Sequence, residues 1–477
     1  MSTNLRIACV MVGLPARGKT YIAQKVCRYL TWLGIKTESF SVANYRRKLV
    51  GSGQPASFFD IHNSTGLKQR REAATAALEA MLSWFDREKG TVAIFDATNS
   101  TKETRAWLNE QLTRNNIQPL FIESICEVED MIGANMLDVQ THSPDYKNMD
   151  PIKASKDYET RIKNYVGSYE TITEDNYSYV KLVNSGSQYI INLVQDYLES
   201  RIVYYLINLQ TRPKRIWFSR HGESQFNIQD RIGGDAELSE RGRQYAKELP
   251  DLVARNIGDR PLVVWTSTLK RTIQTAAGLP YPKKQWKALD ELDTGVCDGM
   301  TYDEIAEKYP EDYARRDEDK FNYRYRGGES YRDVVLRLEP VIMELEQHEN
   351  ILIIAHQATI RCMYAFFMNI SHEKLPYARI PLHTIIELKT NAYSCEEKQY
   401  KVGVEAVDTY RPKPSVPLIK KLKEQGEAVR RNEGASGEIA DASEPILPLS
   451  PVLPANKKPS VSRIQKSAPI KPDLMSA

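Results

Sequence analysis

The chain alternates short apolar runs with longer amphipathic stretches. Residues 7–12, 92–95 and 120–125 are rich in β-branched and large apolar side chains, which predicts strands buried on both faces. Residues 21–33, 68–86 and 102–114 place apolar side chains three and four apart, the period of a helix resting one face on a core. Such strand–helix alternation predicts a parallel sheet with helices on both faces. The pattern then repeats with strands at 215–219, 262–266 and 351–355 and helices at 239–256, 269–277 and 331–346. Turn punctuation falls at 232–234 and 326–329. The connection around 202–215 contains Pro213 but no long flexible stretch, so the two units are expected to pack closely.

From Pro412 onward no period remains. Segments such as PILPLSPVLP and KKPSVSR cannot bury enough apolar surface to offset chain entropy, and a disordered tail is expected. The organisation read from the sequence is therefore a first α/β domain over 1–212, a second over 213–411 and a tail over 412–477. A length of 477 residues suits two domains and a tail.

Composition narrows the class of molecule. Apolar residues make up 41% and charged residues 27%, as in soluble globular proteins. The 65 basic and 62 acidic residues leave a net charge of +3, which argues against a whole-molecule grip on nucleic acid or a membrane surface. The six cysteines are scattered, without the spacing of a zinc site or a redox pair, which suits a reducing compartment. The first residues lead straight into a strand, and no apolar run approaches about 18 residues. A soluble cytoplasmic enzyme is expected.

Two groups of residues carry chemistry. The first is Gly13-Leu14-Pro15-Ala16-Arg17-Gly18-Lys19-Thr20, between a strand and a helix. A glycine-rich loop there lets backbone N–H groups curl around phosphate oxygens at a helix N-terminus. Lys19 is placed to reach the β- and γ-phosphates of a nucleotide, and the Thr20 hydroxyl to ligate Mg²⁺. The strand at 92–95 ends in Asp96, Thr98 and Asn99, where a metal-ligating or basic carboxylate belongs.

The second group sits at three strand ends of the second unit. Arg220-His221-Gly222 follows one strand, Arg271 opens the helix after another, and His356 ends a third. In an open α/β sheet such ends converge on one crevice. A neutral His221 can attack phosphorus, while Arg220, Arg271 and His356 clamp the phosphoryl oxygens. Of the nearby carboxylates, Glu291 is the expected general acid for the leaving oxygen. This chemistry asks for no metal, because side chains supply the cations. A nucleic-acid end-healing protein would also pair a phosphate loop with a phosphatase, but the balanced charge counts against it.

With both groups in place, the chain resembles the bifunctional 6-phosphofructo-2-kinase/fructose-2,6-bisphosphatase family over about residues 5–410. The strings GLPARGKT, YRR, FDATN, FIESIC, SPDY, SRHGES, IGGD, LKRTIQTA, GVCDGMTYDEI, GESYRD, RLEPVIMELE and PLHT stand in family positions. The resemblance implies a P-loop kinase domain joined to a phosphatase domain similar to phosphoglycerate mutase. It implies ATP with Mg²⁺ in the first domain and no cofactor in the second, with fructose 2,6-bisphosphate and fructose 6-phosphate as substrate and product. A homodimer is also implied as a possibility. Within the phosphatase half, Asn227 and Gly233 match positions lining the site, and Tyr302, Arg316, Lys320, Tyr331, Gln357 and Arg361 match those holding the sugar and its 6-phosphate. Within the kinase half, Cys126 matches, and Arg70, Arg161 and Tyr165 fall where the family contacts fructose 6-phosphate.

The kinase half departs from the family twice. The stretch before SPDY ends in Gln140 where strong kinases carry lysine, and the pair after FDATN is Thr104-Arg105 rather than two arginines. A cation on a phosphate is worth about 1.5–3 kcal/mol, so two losses cost roughly two to four powers of ten in kcat/KM. Arg105, kept as a substrate contact, and Lys102 are the nearest cations to make up part of that. The expectation is a bisphosphatase-dominant enzyme with weak or absent kinase activity. In the tail, Ser450, Ser460 and Ser467 are candidate targets of protein kinases.

Overall fold

The computed structural model describes residues 5–147, 149–210, 214–258, 260–390 and 395–414. The three tail serines lie outside the described residues, as does Pro213. Among the described residues no helix is long and apolar enough to cross a membrane.

Two six-stranded sheets organise the chain. The first takes β1 (Ile7–Val12), β2 (Thr37–Ser41), β3 (Val92–Asp96), β4 (Gln118–Ile125), β5 (Tyr179–Val183) and β6 (Gln188–Asn192) in the order β2-β3-β1-β4-β5-β6. All neighbours are parallel except the β5–β6 hairpin. The expectation of a parallel sheet thus holds for five strands and fails at the edge. The turn at Asn184, Ser185 and Gly186 runs at φ 48°, 54° and 104° and reverses the chain within a few residues. The buried face of β1 explains the helices on both sides. Ile7, Cys9 and Met11 pack against Tyr21, Val26 and Leu30, and Ala8, Val10 and Val12 against Ala77, Met81 and Leu108.

The second sheet takes β7 (Lys214–Arg220), β8 (Val263–Thr266), β9 (Lys283–Gln285), β10 (Asn350–Ala355), β11 (Thr384–Thr390) and β12 (Cys395–Lys401) in the order β12-β11-β7-β10-β8-β9. Its centre, β7-β10-β8, is parallel, and β11 and β12 run antiparallel at one side. Those two strands were not expected; β12 is mostly exposed and polar, so it lacks an apolar signature.

The two units share one continuous core. The stretch expected as a connection from residue 202 is instead the second half of a helix, Tyr197–Asn208, and it carries part of that core. The later turns of the helix Lys19–Trp32 lie against the helix Tyr197–Asn208 and against the second unit. Tyr29 stacks on Tyr205 at 4.2 Å and donates to Glu339 at 2.5 Å, and Trp32 Nε1 donates to the Cys362 carbonyl at 2.9 Å. Glu346, 1% exposed, sits between Lys214 at 2.5 Å and Lys25 at 3.6 Å. Burial pushes Lys25 down to about 7, and the Glu346 carboxylate opposes that shift.

Glu346→Ala would strip the buried Lys25 and Lys214 of their counter-charge, so that each must lose its proton or stay charged and unpaired. Removing one partner of a buried ion pair costs about 3–5 kcal/mol. We expect a loss of that order in urea denaturation.

Candidate functional sites

The P-loop follows β1 and wraps the N-terminus of the Lys19–Trp32 helix. Ala16 and Gly18 adopt φ 58° and 77°, and a side chain on Gly13 (φ 136°) would stand 2.5 Å from the Ser124 carbonyl. Lys19 Nζ donates to the Leu14 carbonyl at 2.6 Å. Burial pushes Lys19 down to about 7, partly offset by Asp96. Thr20 Oγ1 donates to Asp96 Oδ2 at 3.0 Å, so the two groups expected at a metal are adjacent. Asn99 donates to the Met11 carbonyl at 2.8 Å and ties the end of β3 to β1.

A cavity of about 470 Å³ opens beside this loop. Pro15, Ala16, Arg17, Gly18, Lys19 and Thr20 line it, with Asp96, Thr98, Arg70, Arg161 and Tyr165 across from them. Arg161 lies 3.6 Å over the Phe59 ring, and its Nε has no hydrogen-bond partner. A guanidinium oriented in this way, with an N–H to spare, suits a phosphate. Arg46, quoted above only within YRR, also lines the cavity and pairs with Asp145 at 2.5 Å.

Several expected contacts are corrected by the geometry. Arg105 is fully buried; it pairs with Glu174 at 2.9 Å and donates to the Glu170 carbonyl at 2.8 Å. Thr104 faces the cavity instead, because consecutive helical residues point about 100° apart. Lys102 is exposed and is not on the cavity wall, so neither cation replaces the missing one. Cys126 is likewise buried outside the cavity lining; Gly13 and Leu14 are also not part of that lining and shape the loop through the backbone. The helix Glu129–His142 brings Asn135, Asp138 and Val139 to the wall, and it carries no lysine or arginine.

The second site lies at the carboxyl ends of β7, β10 and β8. The imidazole of His221 is 4% exposed at the base of a cavity of about 140 Å³. Its Nδ1 lies 2.7 Å from the Gly222 carbonyl, which only accepts. The proton therefore sits on Nδ1, and Nε2 keeps its lone pair. Burial first, then Arg271 and Arg220, hold this imidazole well below the usual histidine range, so it is neutral. Arg220 donates to the Ile380 carbonyl and to Thr409 Oγ1 at 3.1 and 2.7 Å, leaving its Nε unpartnered. Burial lowers Arg220 to about 10, which keeps it charged near neutral pH.

His356 has a different place from the one expected. It is fully buried, and its ring centre is 5.2 Å from that of His221. Its Nδ1 accepts from Arg271 Nε at 3.2 Å, so Nε2 carries the proton and donates to Ser267 Oγ at 2.7 Å. Ser267 in turn donates to Thr272 at 2.8 Å, whose hydroxyl donates to the Leu269 carbonyl at 2.9 Å. His356 thus orients Arg271 from behind, while Arg271 Nη1 donates to the Gly234 carbonyl at 2.6 Å.

Glu291 accepts from the Ala358 N–H at 3.0 Å, at the start of the Gln357–Met368 helix, and lines the same cavity. Asn227 closes a capping box on Ser224, and Gly233 (φ 71°) leaves no room for a Cβ, which would fall 1.8 Å from Asp298. Farther from His221, Arg316 donates to Tyr325 and Tyr302 at 2.9 and 3.0 Å, and Arg361 to Tyr331 at 3.0 Å. Lys320 and Gln357 complete that wall. Burial, with Arg316 and Arg361 nearby, pushes Lys320 well below the usual lysine range. Thr409 and Arg411 also line this cavity, and no period or motif in the sequence signalled them.

Comparison with known proteins agrees with this pairing of clefts. Residues 1–213 match the family 6-phosphofructo-2-kinase, and residues 216–402 the histidine phosphatase superfamily (branch 1). A Saccharomyces cerevisiae relative described as fructose-2,6-bisphosphatase is 52% identical over 86% of this chain and 92% of its own. The chain belongs to the 6-phosphofructo-2-kinase/fructose-2,6-bisphosphatase family. A human relative described as 6-phosphofructo-2-kinase/fructose-2,6-bisphosphatase 4 is 48% identical over 86% of this chain and 88% of its own. The two α/β domains are accordingly a kinase-type domain and a histidine phosphatase domain.

The neutral histidines of the phosphatase domain fix a pH dependence. His221 and His356 both lie well below their ordinary value of 6.5 in the fold and titrate freely when unfolded. Below about pH 6.5 the unfolded chain therefore binds more protons, and stability falls on acidification. The fall is up to about 1.4 kcal/mol per pH unit for each histidine. His221→Gln removes one share, so the slope of unfolding free energy between pH 6.5 and 5.5 should flatten accordingly in urea titrations. An unchanged slope would mean that His221 takes up its proton in the folded protein.

Proposed function

We propose that the protein hydrolyses fructose 2,6-bisphosphate to fructose 6-phosphate and phosphate, with the kinase half weak or silent. One observation carries this reading. A single cavity holds a neutral histidine with a free Nε2 between Arg220 and Arg271, and a second cluster, Arg316, Lys320 and Arg361, on its far wall. Two separate cation clusters match one substrate with two phosphates. The name of the yeast relative points to the same sugar.

In the first step Nε2 of His221 attacks the phosphorus on C2, and the bond from phosphorus to the sugar oxygen breaks. Glu291 gives that oxygen its proton, releasing fructose 6-phosphate. Arg220, through its unpartnered Nε, and Arg271 offset the charge spreading over the equatorial oxygens. In the second step water attacks the phosphohistidine, Glu291 takes the water proton, and phosphate leaves. Asn227, Gly233, Tyr302, Tyr331 and Gln357 shape the cavity around the sugar.

The first domain, taken as 1–212, has the residues to hold a nucleotide. Lys19 spends its ammonium on a carbonyl that a phosphate would replace, and Thr20 with Asp96 forms the set that a Mg²⁺ ion would take. ATP therefore fits, with Arg70, Arg161 and Tyr165 toward fructose 6-phosphate. The two absent cations at Gln140 and Thr104 are what hold phosphoryl transfer down. The phosphatase domain, taken as 213–411, works without a cofactor, and six unpaired cysteines suit the cytoplasm.

Purified protein incubated with substrate labelled at the 2-phosphate should release labelled phosphate through an acid-labile phosphohistidine. His221→Ala should abolish both; label release without a phosphoenzyme would sink the mechanism. For the kinase half, Gln140→Lys with Thr104→Arg should raise fructose 2,6-bisphosphate synthesis from ATP by about two to four powers of ten. A wild type already as active as the double variant would instead be a balanced bifunctional enzyme.

A further inference from the structure

The bisphosphatase cavity has a wall that none of the family strings covers. After β12 the chain passes through residues 402–411 without regular structure and returns across the mouth of the site. It is fastened at successive points. Glu223, beside the nucleophile in Arg-His-Gly-Glu, accepts from the Glu223-facing Val407 N–H at 2.9 Å. His383 accepts from the Glu223 N–H at 3.0 Å through Nε2, so its Nδ1–H donates to the Val404 carbonyl at 3.1 Å. Asp408 pairs with Arg379 at 3.0 Å. Thr409 Oγ1 receives Arg220 Nη1 at 2.7 Å.

The last point is Arg411. Its guanidinium lies 4.1 Å from the centre of the Tyr302 ring, and that of Arg316 lies 4.6 Å from the same centre. Among the described residues its hydrogen-bond partner is Asp230 at 2.5 Å, and the two side chains are 41% and 62% exposed. An exposed pair of this kind is weak and readily exchanged for a better anion. Arg411 thus stands on the cavity wall that holds Arg316 and Lys320, away from the chemistry at His221. A phosphate bound there would find Arg411 beside Arg316, Arg361 and the Lys320 amine, which an anion would re-protonate, and Arg411 has a present partner that is easily replaced.

We propose that Arg411 is a specificity-determining residue that binds the sugar phosphate remote from His221, delivered to the cavity by the 402–411 strap. The proposal rests on the bisphosphate reading above. An arginine that binds the remote phosphate equally in the ground state and the transition state changes KM and leaves kcat alone. It should also be silent toward a substrate that lacks that phosphate.

The test is steady-state kinetics of the full chain on fructose 2,6-bisphosphate and on fructose 2-phosphate. Arg411→Ala should raise KM for the bisphosphate by about tenfold to a hundredfold with kcat within about threefold. The same variant should leave both constants for fructose 2-phosphate unchanged, and Arg411→Lys should recover part of the lost affinity. Equal changes with the two substrates, or no change with the bisphosphate, would overturn the assignment while leaving the bisphosphatase reading intact. Wild-type protein that fails to turn over the bisphosphate would remove both. Unfolding midpoints of the two variants equal to wild type would exclude a folding defect.

Discussion

The phosphatase site depends on the parallel register of β7 with β10. Arg220 pairs with Ala355 across that register, and the His221 N–H donates to the Ala355 carbonyl at 3.0 Å. Parallel strands end on the same edge of a sheet, so the loop that carries Arg220 and His221 and the loop that starts at His356 emerge side by side. With β8 on the other flank of β10, Ser267 and Arg271 emerge at the same edge. The helix that begins at Gln357 then points the Ala358 N–H at Glu291. The juxtaposition of His221, Arg220, Arg271, His356 and Glu291 therefore follows from one strand order.

That arrangement concentrates positive charge in a buried place, and the protein answers in two ways. The arginines stay charged because a guanidinium holds its proton well above neutral pH even when buried, Arg220 at about 10. His221, His356 and Lys320 are driven toward their neutral forms by burial and by those arginines. For His221 this leaves Nε2 unprotonated, with its lone pair toward the cavity. Lys19 in the first cleft shows the same logic, with burial holding it near 7 beside Asp96. Each cleft is thus a set of cations held in low dielectric, and an incoming phosphate relieves the strain of that burial. At the contact between the domains Glu346 performs the equivalent task permanently for Lys25 and Lys214.

Much of this was legible along the chain. β1 falls on the expected residues 7–12, and the helix Lys102–Arg114 matches its expected span, because strong periodicity and Thr101 as an N-cap mark them. Lys19, Thr20 and Asp96 could be placed together because a strand–loop–helix turn and a neighbouring strand end leave few alternatives. Arg105 could not be placed, since Thr104 and Arg105 are equally plausible on a helix until one knows which face meets the cavity. The antiparallel strands β11 and β12 were missed for two reasons: β11 pairs with β7, far away in sequence, and β12, though it pairs with its neighbour β11, is too polar to show an apolar run. His356 was expected against the phosphate, but only the three-dimensional hydrogen-bond chain to Ser267 shows both its nitrogens already in use.

The sequence by itself determined the chemistry of the two sites, because phosphate recognition needs particular residue types at loop and strand ends, and those are local. It also shows that Gln140 and Thr104 are uncharged, since a charge is present or absent whatever the fold, while the structure puts Thr104 on the wall of the first cavity and Gln140 off it. The tertiary structure decided direction and protonation: which guanidinium faces a cavity, which histidine nitrogen is free, and which one merely supports an arginine. It alone brought Thr409 and Arg411 back across a site formed nearly 190 residues earlier in the chain. Those properties depend on burial and on contacts between distant segments, and neither is written in the local pattern.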